Sequence, residues 1–230
     1  YDNLNSAAFM ENCFHIGERL SITPGVRLEQ LKSSSRGYIA LTDGAFEPVH
    51  RTRLFALAGL GMQYALGLVN VYANASQAYR PVVYSDFTPA STTDIIDPKL
   101  RDAAGYNAEL GFRGTHKNWL NFDAGLFYLV YDNRIGTIVR DGVNFKTNIG
   151  TSVSKGAEIF CEWDAVKMYN PQSRASLGWF VSATLMDARY TRWNNPEIAT
   201  DPTKSIENKR VEYAPKLTCR SGVSFKMEAL

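Results

Sequence analysis

Apolar and polar residues alternate with a period of two along almost the whole chain, and helical periodicity is hard to find. Between positions 68 and 79 the odd residues are mostly apolar, whereas the even ones are mostly polar. The same alternation recurs at 22–29, 106–113, 120–126, 156–163, 176–183 and 217–225. Since successive side chains of a strand point to opposite faces, the pattern predicts an all-β protein of about nine or ten strands, each with an apolar and a polar face.

The predicted connections between strands alternate strictly between short and long. The short ones lie at 17–19, 66–67, 115–118 and 168–174, and the long polar ones at 32–50, 81–103, 136–150 and 193–210. This is typical of an outer-membrane barrel with periplasmic turns and extracellular loops, whereas a sandwich has no reason to sort its loops by end. We therefore predict an antiparallel transmembrane β-barrel with up-and-down order. The alternative is a soluble all-β ligand-binding or glycoside-processing domain, in which a second sheet would cover the apolar face.

Aromatic and charged residues follow the same division into faces. Four aromatic residues on the apolar parity lie near strand ends, as expected for girdles at the membrane interfaces: Tyr64, Trp163, Tyr79 and Tyr106. Most charged residues take the polar parity, and we expect four carboxylates to pair with three arginines in a wet lumen: Glu109, Asp123, Glu158 and Glu162 with Arg27, Arg113 and Arg220. Lys155 breaks the rule near a strand end, where its long side chain can reach the interface.

The composition is that of a folded protein and argues against a helical membrane protein. Of 230 residues, 45% are hydrophobic and 21% charged, which is enough apolar material for a sizeable core. The longest nearly apolar stretch, 54–62, is well short of the roughly 18 residues of a spanning helix. The net charge is +2, with 25 basic residues dispersed among 23 acidic ones, so nucleic acid is not expected as a partner.

The sequence lacks the motifs of an enzyme. The three histidines are far apart, and there is no His-Glu-x-x-His, Gly-x-Ser-x-Gly or phosphate-loop motif. The three cysteines are also separate, which indicates neither a zinc site nor a disulfide framework. Asp86, Asp94 and Asp97 do not follow the spacing of a calcium loop, and a solvated loop explains them. We therefore predict no enzyme activity, no cofactor and no metal site.

Six segments carry a resemblance to a known family. They read ITPGVRLE (22–29), VYANASQAYRPV (71–82), GYNAELGFRG (105–114), LNFDAGLFYLVYDNRIG (120–136), TNIGTSVSKGAEI (147–159) and VEYAPKL (211–217). In this order they resemble the barrel of TonB-dependent outer-membrane receptors. The combination of SQAYRP, LRDAAGYNAELGFRG and TNIG looks most like the ferric dicitrate branch, a siderophore-importing group of that family.

The resemblance implies a barrel of roughly 22 strands in the Gram-negative outer membrane, preceded by a plug domain and a TonB-contacting segment. On this interpretation residues 1–230 are part of the barrel domain, and the plug domain and the C-terminal strands are absent from the chain. The chain begins at Tyr1 rather than at a methionine, so we expect cut ends. The implied function is import of a ferric siderophore with TonB-coupled energy, TonB being reached through a segment missing from this chain. Outer-membrane lipid is the other expected partner.

An anionic ferric chelate would be recognised by arginine, because a planar guanidinium matches a carboxylate with two hydrogen bonds. Four residues near the predicted extracellular ends of strands are therefore candidate ligand contacts: Arg80, Tyr131, Asn133 and Arg134. Arg80 follows a predicted strand on the polar parity, and Pro81 fixes the chain direction after it. Arg134 is predicted to end its strand at a similar height, with Tyr131 and Asn133 on one parity beside it.

Overall fold

The computed structural model describes residues 2–38, 45–87, 89, 94–140, 142–195 and 201–227. The strands are β1 (Asp2–Glu11), β2 (Phe14–Ile16), β3 (Leu20–Tyr38), β4 (Ala45–Leu66), β5 (Val69–Arg80), β6 (Ile95–Ile96), β7 (Ala103–His116), β8 (Leu120–Arg140), β9 (Val143–Asp164), β10 (Ala175–Trp193) and β11 (Leu217–Met227). Two short α-helices, α1 (Tyr84–Phe87) and α2 (Ala165–Tyr169), and a 3-10 helix (Pro202–Lys204) lie in the connections. In these ranges, no helix has the length and apolar composition to cross a membrane.

The described strands form a single sheet. Its order is β1-β3-β4-β5-β7-β8-β9-β10-β11, and each of these strands is antiparallel to its neighbours. Beside this path, β2 continues the pairing of β1 with β3, and the two-residue β6 lies parallel to β9. The predicted all-β, up-and-down meander is therefore confirmed, with nine strands on its main path.

One end of the sheet carries tight turns. The connections β2–β3, β4–β5 and β7–β8 have two or three residues each. Gly17 and Gly67 stand in two of these turns with φ of +63° and +68°, the left-handed region that a residue without Cβ enters at little cost. The β9–β10 connection is longer than predicted because it contains α2, which begins where Asp164 accepts a hydrogen bond from the backbone N–H of Lys167. We call this the short-turn end.

The opposite end, the long-connection end, differs from the prediction in two places. The segments 32–50 and 136–150 were predicted to be loops, but β3 reaches Tyr38, β4 starts at Ala45, and β8 and β9 meet at a tight hairpin after Arg140. Residues 39–44 lie outside the described ranges. Beyond a membrane both faces of a hairpin can meet water, so its sequence need not alternate while the backbone ladder continues. The long connections 81–102 and 194–216 agree with the prediction within a few residues.

The register of the sheet places the alternating residues on two opposite faces. One row of directly paired residues crosses five strands: Val71, Phe112, Ala124, Ile159 and Ala183. We call this the apolar face and its opposite the polar face. The apolar face is uncovered, since Leu54 on it is 77% exposed and Val223 is 70% exposed. Because no second sheet covers it within the described residues, the alternative of a soluble sandwich-type domain is wrong.

Three of the four predicted girdle aromatics lie on the apolar face near strand ends. Tyr64 and Trp163 are at the short-turn end, where Trp163 packs on Trp179 with ring centroids 4.5 Å apart. Tyr106 is nearer the long-connection end and stacks on Tyr128 at 6.4 Å. Bands of this kind mark the two interfaces of a membrane barrel.

Tyr79 departs from the predicted girdle. Its ring stacks on Phe55 at 3.7 Å, and its hydroxyl donates to Asp102. Phe55 has the same parity in β4 as Gly59, which belongs to the polar face, so the prediction for Tyr79 is wrong. The β4–β5 ladder ends at the pair formed by Gly59 and Ser76, so beyond it the register with β4 no longer fixes the side on which the Tyr79 ring lies.

The middle of the polar face is a hydrogen-bonded network rather than the predicted set of ion pairs. The hydroxyl of Tyr72 lies 3.1 Å from a carboxylate oxygen of Glu109 and 2.8 Å from one of Asp123. Arg113 donates to an amide oxygen on β4, and Arg27 pairs with a carboxylate of its own strand. The predicted pairs are therefore wrong for the described residues, because a neutral tyrosine hydroxyl takes the place of the arginine.

The largest buried apolar cluster lies at the long-connection end, not in the middle of the sheet. Its members come from β8, β9, β10 and the 194–216 connection: Ile138, Ile149, Ala188, Tyr190 and Val211. The connection is tied to β10 by backbone hydrogen bonds, including Val211 N–H to the Ala188 carbonyl at 3.0 Å. This cluster gives the long-connection end a fixed structure, which positions the candidate site described next.

Candidate ligand-binding site at the long-connection end

A bulge in β8 brings Tyr131 and Arg134 to the same face. Tyr131 pairs with Ser152 and Arg134 pairs with Gly150. Between these two pairs the chain advances three positions along β8 but only two along β9, so β8 holds one extra residue. Asn133, inside the bulge, has φ of +51°. Without the bulge Tyr131 and Arg134 would lie on opposite faces, and bulges are a common means of re-aiming a side chain. The prediction that Arg134 ends its strand is wrong, since β8 continues to Arg140.

Arg134 lies between two tyrosine rings on the polar face. Its guanidinium carbon is 5.6 Å from the ring centroid of Tyr131 and 5.5 Å from that of Tyr190, both within cation–π range. Its only hydrogen-bond partner in the described part of the chain is the hydroxyl of Ser152, at 3.5 Å. A guanidinium has five N–H donors in a fixed fork, so most of those of Arg134 remain for water or a ligand.

Glu212 completes this group from the 194–216 connection. The hydroxyl of Tyr190 donates to its carboxylate at 2.7 Å. That hydrogen bond lowers the pKa of Glu212 below its ordinary value, against a smaller opposing effect of desolvation, and the nearby charge of Arg134 lowers the pKa further. We call Tyr131, Arg134, Ser152, Tyr190 and Glu212 the Arg134 cluster.

Asn133 joins two segments of the chain. Its side-chain oxygen is 3.5 Å from Nη2 of Arg101, and its backbone carbonyl accepts from Nδ2 of Asn148 at 2.8 Å. Asn148 is buried and also bonds the backbone N–H and carbonyl of Arg101, both at 2.8 Å. This arrangement fastens the 81–102 connection to the β8 bulge, which gives Asn133 a positioning role.

Arg80 lies apart from the other three predicted residues. Its Nη2 is 3.0 Å from a carboxylate oxygen of Asp86, which is buried and also accepts from the backbone N–H of Val83. Nη1 of Arg80 is buried and has no hydrogen-bond partner among the residues that the structure describes. The structure thus brings together Tyr131 and Arg134, and it holds Arg80 against the start of α1.

A buried ion pair that sequence reasoning missed ties both ends of the 81–102 connection to β4. Nε of Arg53 is 2.7 Å from Asp102, with the two side chains 8% and 21% exposed. Arg53 also donates to the Val82 carbonyl at 3.2 Å, and Asp102 accepts from the Val82 N–H at 2.7 Å and from Tyr79. The two residues are 49 positions apart, and the only signal in the sequence is that Arg53 has polar parity on an apolar strand.

The polar face also holds an open concavity of about 690 Å³ below the candidate site. It is lined mainly by polar side chains, with Gln63, Tyr72, Glu109, Arg113 and Asp123 among them. In the described residues no group of three or more histidine, cysteine or acidic side chains could hold a metal ion. The loop carboxylates Asp86, Asp94 and Asp97 accept hydrogen bonds from separate partners.

Comparison with known proteins places the chain in a family. The family model described as TonB dependent receptor-like, beta-barrel matches residues 1–228. Comparison with curated protein sequences gave no match.

Three solved structures illustrate the likeness in fold. The ferric yersiniabactin uptake receptor FyuA from Yersinia pestis aligns with a TM-score of 0.70 and 20% identity over 96% of this chain and 31% of its own. The copper transporter OprC aligns at 0.69 and 15% identity over 98% and 34%. The ferric citrate transporter FecA in its unliganded form aligns at 0.68 and 22% identity over 96% and 30%.

At these identities the likeness shows the fold alone, and the chain spans about a third of the length of these structures. The family match covers nearly the whole chain, in agreement with the single meander sheet and its uncovered apolar face. The chain belongs to the TonB-dependent receptor β-barrel family, whose members are transporters of the Gram-negative outer membrane and not enzymes.

Proposed function

We propose that the chain is a segment of the barrel wall of a receptor that binds a ferric siderophore and imports it with TonB-coupled energy. In this proposal the plug domain, the TonB-contacting segment and the remaining strands belong to parts of the receptor outside residues 1–230. The polar face lines the lumen, the apolar face meets lipid, and the long-connection end is extracellular. The Arg134 cluster is the observation that carries the proposal.

The Arg134 cluster suits an anionic chelate for three reasons. It presents a guanidinium with free donors on the lumen face, near the extracellular mouth. Tyr131 and Tyr190 flank that guanidinium and reduce its contact with water, which strengthens a charge-assisted hydrogen bond. The cluster also rests on the buried residues of the long-connection end, so a ligand would meet a preorganised site.

Ferric citrate is the siderophore complex that we propose first. The segments SQAYRP, LRDAAGYNAELGFRG and TNIG resemble the ferric dicitrate branch, and carboxylates are the natural partners of an arginine fork. Among the structural neighbours, one is a ferric citrate transporter, one a ferric yersiniabactin receptor and one a copper transporter. In this proposal Arg80 is a secondary contact, because a ligand must compete with Asp86 for its guanidinium.

The test uses the full-length receptor in outer membranes. Equilibrium binding of ferric citrate should be weakened by Arg134→Ala by roughly 1.5 to 3 kcal/mol, the value of a hydrogen bond to a charged group. Arg134→Lys should recover only part of that loss, since an ammonium keeps the charge without the fork. Arg80→Ala should have a smaller effect than Arg134→Ala. Uptake of radioactive iron from ferric citrate should require TonB.

Arg113→Ala is the matched control, because Arg113 lies on the same face at the short-turn end. It should leave the affinity unchanged at equal outer-membrane level and equal heat resistance of the barrel. Equal affinity in the wild type and Arg134→Ala would remove this residue from the site. Tight binding of a copper ion or of ferric yersiniabactin, with none of ferric citrate, would replace the proposed substrate.

A further inference from the structure

Three basic side chains gather on the apolar face at its extracellular end, where lipid-facing residues are otherwise mostly uncharged. Lys155 of β9 pairs directly with Asp187 of β10, and Nε of Arg189 is 2.9 Å from the Asp187 carboxylate. Arg210, in the 194–216 connection, pairs with Arg189 through an isolated bridge. The charges of Lys155 and Arg210 both act on Asp187. We call these four residues the rim patch.

The rim patch stands at the height of the outer lipid headgroups. Lys155 lies eight positions along β9 from Trp163, which is about 26 Å at 3.3 Å per residue. With a strand tilt of about 40° this is roughly 20 Å of height, close to the thickness of the apolar band of an outer-membrane barrel. Tyr128, the direct neighbour of Lys155 on β8, belongs to the aromatic pair at the same level.

The charges of the rim patch are not balanced. Three cations share the carboxylate of Asp187, and like charges directly opposite each other, as in the bridge between Arg189 and Arg210, destabilise a sheet. The arginines are held in place, since Nη1 of Arg189 donates to the Asn208 carbonyl at 2.8 Å and Nη2 of Arg210 to the Ala214 carbonyl at 2.7 Å. Arg189 and Asp187 remain 48% and 40% exposed, so the patch is open to a partner.

We propose that the rim patch binds the phosphate groups of an anionic glycolipid of the outer leaflet. Its phosphates would lie among Lys155, Arg189 and Arg210, and its acyl chains would lie along the apolar residues directly below. Leu126, Ala157 and Leu185 form that row, and Leu126 and Leu185 are each 61% exposed. A basic cluster above an apolar surface matches a lipid with a phosphorylated headgroup better than it matches a free ion. The inference is independent of the transported ligand.

The test measures binding of bisphosphorylated lipid A to the delipidated full-length receptor in detergent, by native mass spectrometry of bound copies. The triple variant Lys155→Gln, Arg189→Gln, Arg210→Gln should bind about 100-fold more weakly, and Lys155→Gln alone about fivefold. The control replaces three lumen-facing arginines, Arg27, Arg113 and Arg220, with glutamine and removes the same charge from the other face. Lipid A without phosphates should bind the wild type as weakly as bisphosphorylated lipid A binds the triple variant.

Each outcome decides the proposal. The proposal is overturned if the triple variant binds bisphosphorylated lipid A with an affinity within about twofold of that of the wild type. It is also overturned if the control variant loses as much affinity as the triple variant. Displacement of lipid A by an equal concentration of inorganic phosphate also overturns it, because the patch would then be a free-phosphate site. If the triple variant loses the heat resistance of a folded barrel, Lys155→Gln decides, since this exposed side chain can be replaced without disturbing the arginine contacts. Unchanged binding in that variant counts against the proposal.

Discussion

Removal of the Asp102 carboxylate should release the 81–102 connection from the sheet. Asp102 is the anion that compensates Arg53, whose side chain is only 8% exposed, and it also accepts hydrogen bonds from the Val82 N–H and from Tyr79. In Asp102→Ala the guanidinium of Arg53 keeps only the Ser33 hydroxyl at 3.4 Å and the Val82 carbonyl at 3.2 Å. The remaining charge stays buried without a counter-charge as long as the connection stays docked.

The size of the effect follows from this burial. Removing one partner of a buried ion pair costs about 3 to 5 kcal/mol, because the other charge is left uncompensated. The barrel wall does not depend on this pair, so the cost should fall on docking of the connection rather than on the whole sheet. Opening of residues 81–102 should therefore become roughly 10²- to 5 × 10³-fold more frequent.

Hydrogen exchange of the full-length receptor, read by mass spectrometry on peptides that cover 81–102, measures this opening. Asp187→Ala is the matched control: its carboxylate is 2.9 Å from Nε of an arginine, Arg189, but the two side chains are 40% and 48% exposed. An exposed pair contributes less than about 1 kcal/mol, so exchange in 81–102 should not change in the control.

Two results would refute this reasoning. Exchange in 81–102 that is the same in Asp102→Ala and in the wild type would show that the pair does not hold the connection. Equal increases in Asp102→Ala and Asp187→Ala would show that burial does not set the cost. The double variant Arg53→Met, Asp102→Leu should recover much of the protection, since it leaves no buried charge.

Further predictions concern the two faces, one glycine and one carboxylate. In the full receptor without its native cysteines, single cysteines introduced on the polar face should react with a water-soluble thiol reagent, and those on the apolar face should not. Equal labelling of the two faces would contradict their assignment. The two sets are Asn74, Glu109, Asp123, Glu158 and Ser182, and Val71, Ala108, Phe122, Ile159 and Val181. Gly156→Ala should destabilise the barrel by about 1 to 3 kcal/mol in thermal unfolding, because a Cβ there would lie 2.0 Å from the Leu185 carbonyl oxygen. Gly59→Ala is the control, since the nearest atom to its Cβ would be 3.6 Å away, and it should shift the midpoint of thermal unfolding much less. Because the pKa of Glu212 is lowered in the folded state, its stabilising contact with Tyr190 is complete above pH 4.5 and is lost as the pH falls through the lower folded value. In a receptor whose other tryptophans are replaced by phenylalanine, the emission of Trp193, which lies beside Tyr190, should therefore change on acidification but not after Glu212→Gln; the same change in both would contradict this role.

The alternation of apolar and polar residues determined the strands that cross the membrane. It placed β5, β7 and the start of β8 within a few residues of their observed bounds and assigned their faces correctly, because a strand has only two faces and one register fixes every side chain along it. The same reasoning failed for the hairpin extensions of β3–β4 and β8–β9, where water on both faces removes the pattern.

Local sequence could not reveal the bulge in β8. The sequence alone placed Tyr131 and Arg134 on opposite faces, and the extra residue that unites them is defined only by the partner strand β9. Tyr190, the second ring of the Arg134 cluster, is 56 positions from Arg134 and reaches it through the pairing of β8 with β9 and of β9 with β10.

The amino-acid sequence by itself determined the fold class and the two faces of the wall, both of which follow from the period of a single strand. Tertiary structure alone decided which side chains meet at the long-connection end. Arg53 and Asp102, Asn148 and Arg101, and Lys155 and Arg210 come together from different strands and connections. Such contacts depend on register, bulges and chain reversal over tens of residues, and a period of two carries no information about them.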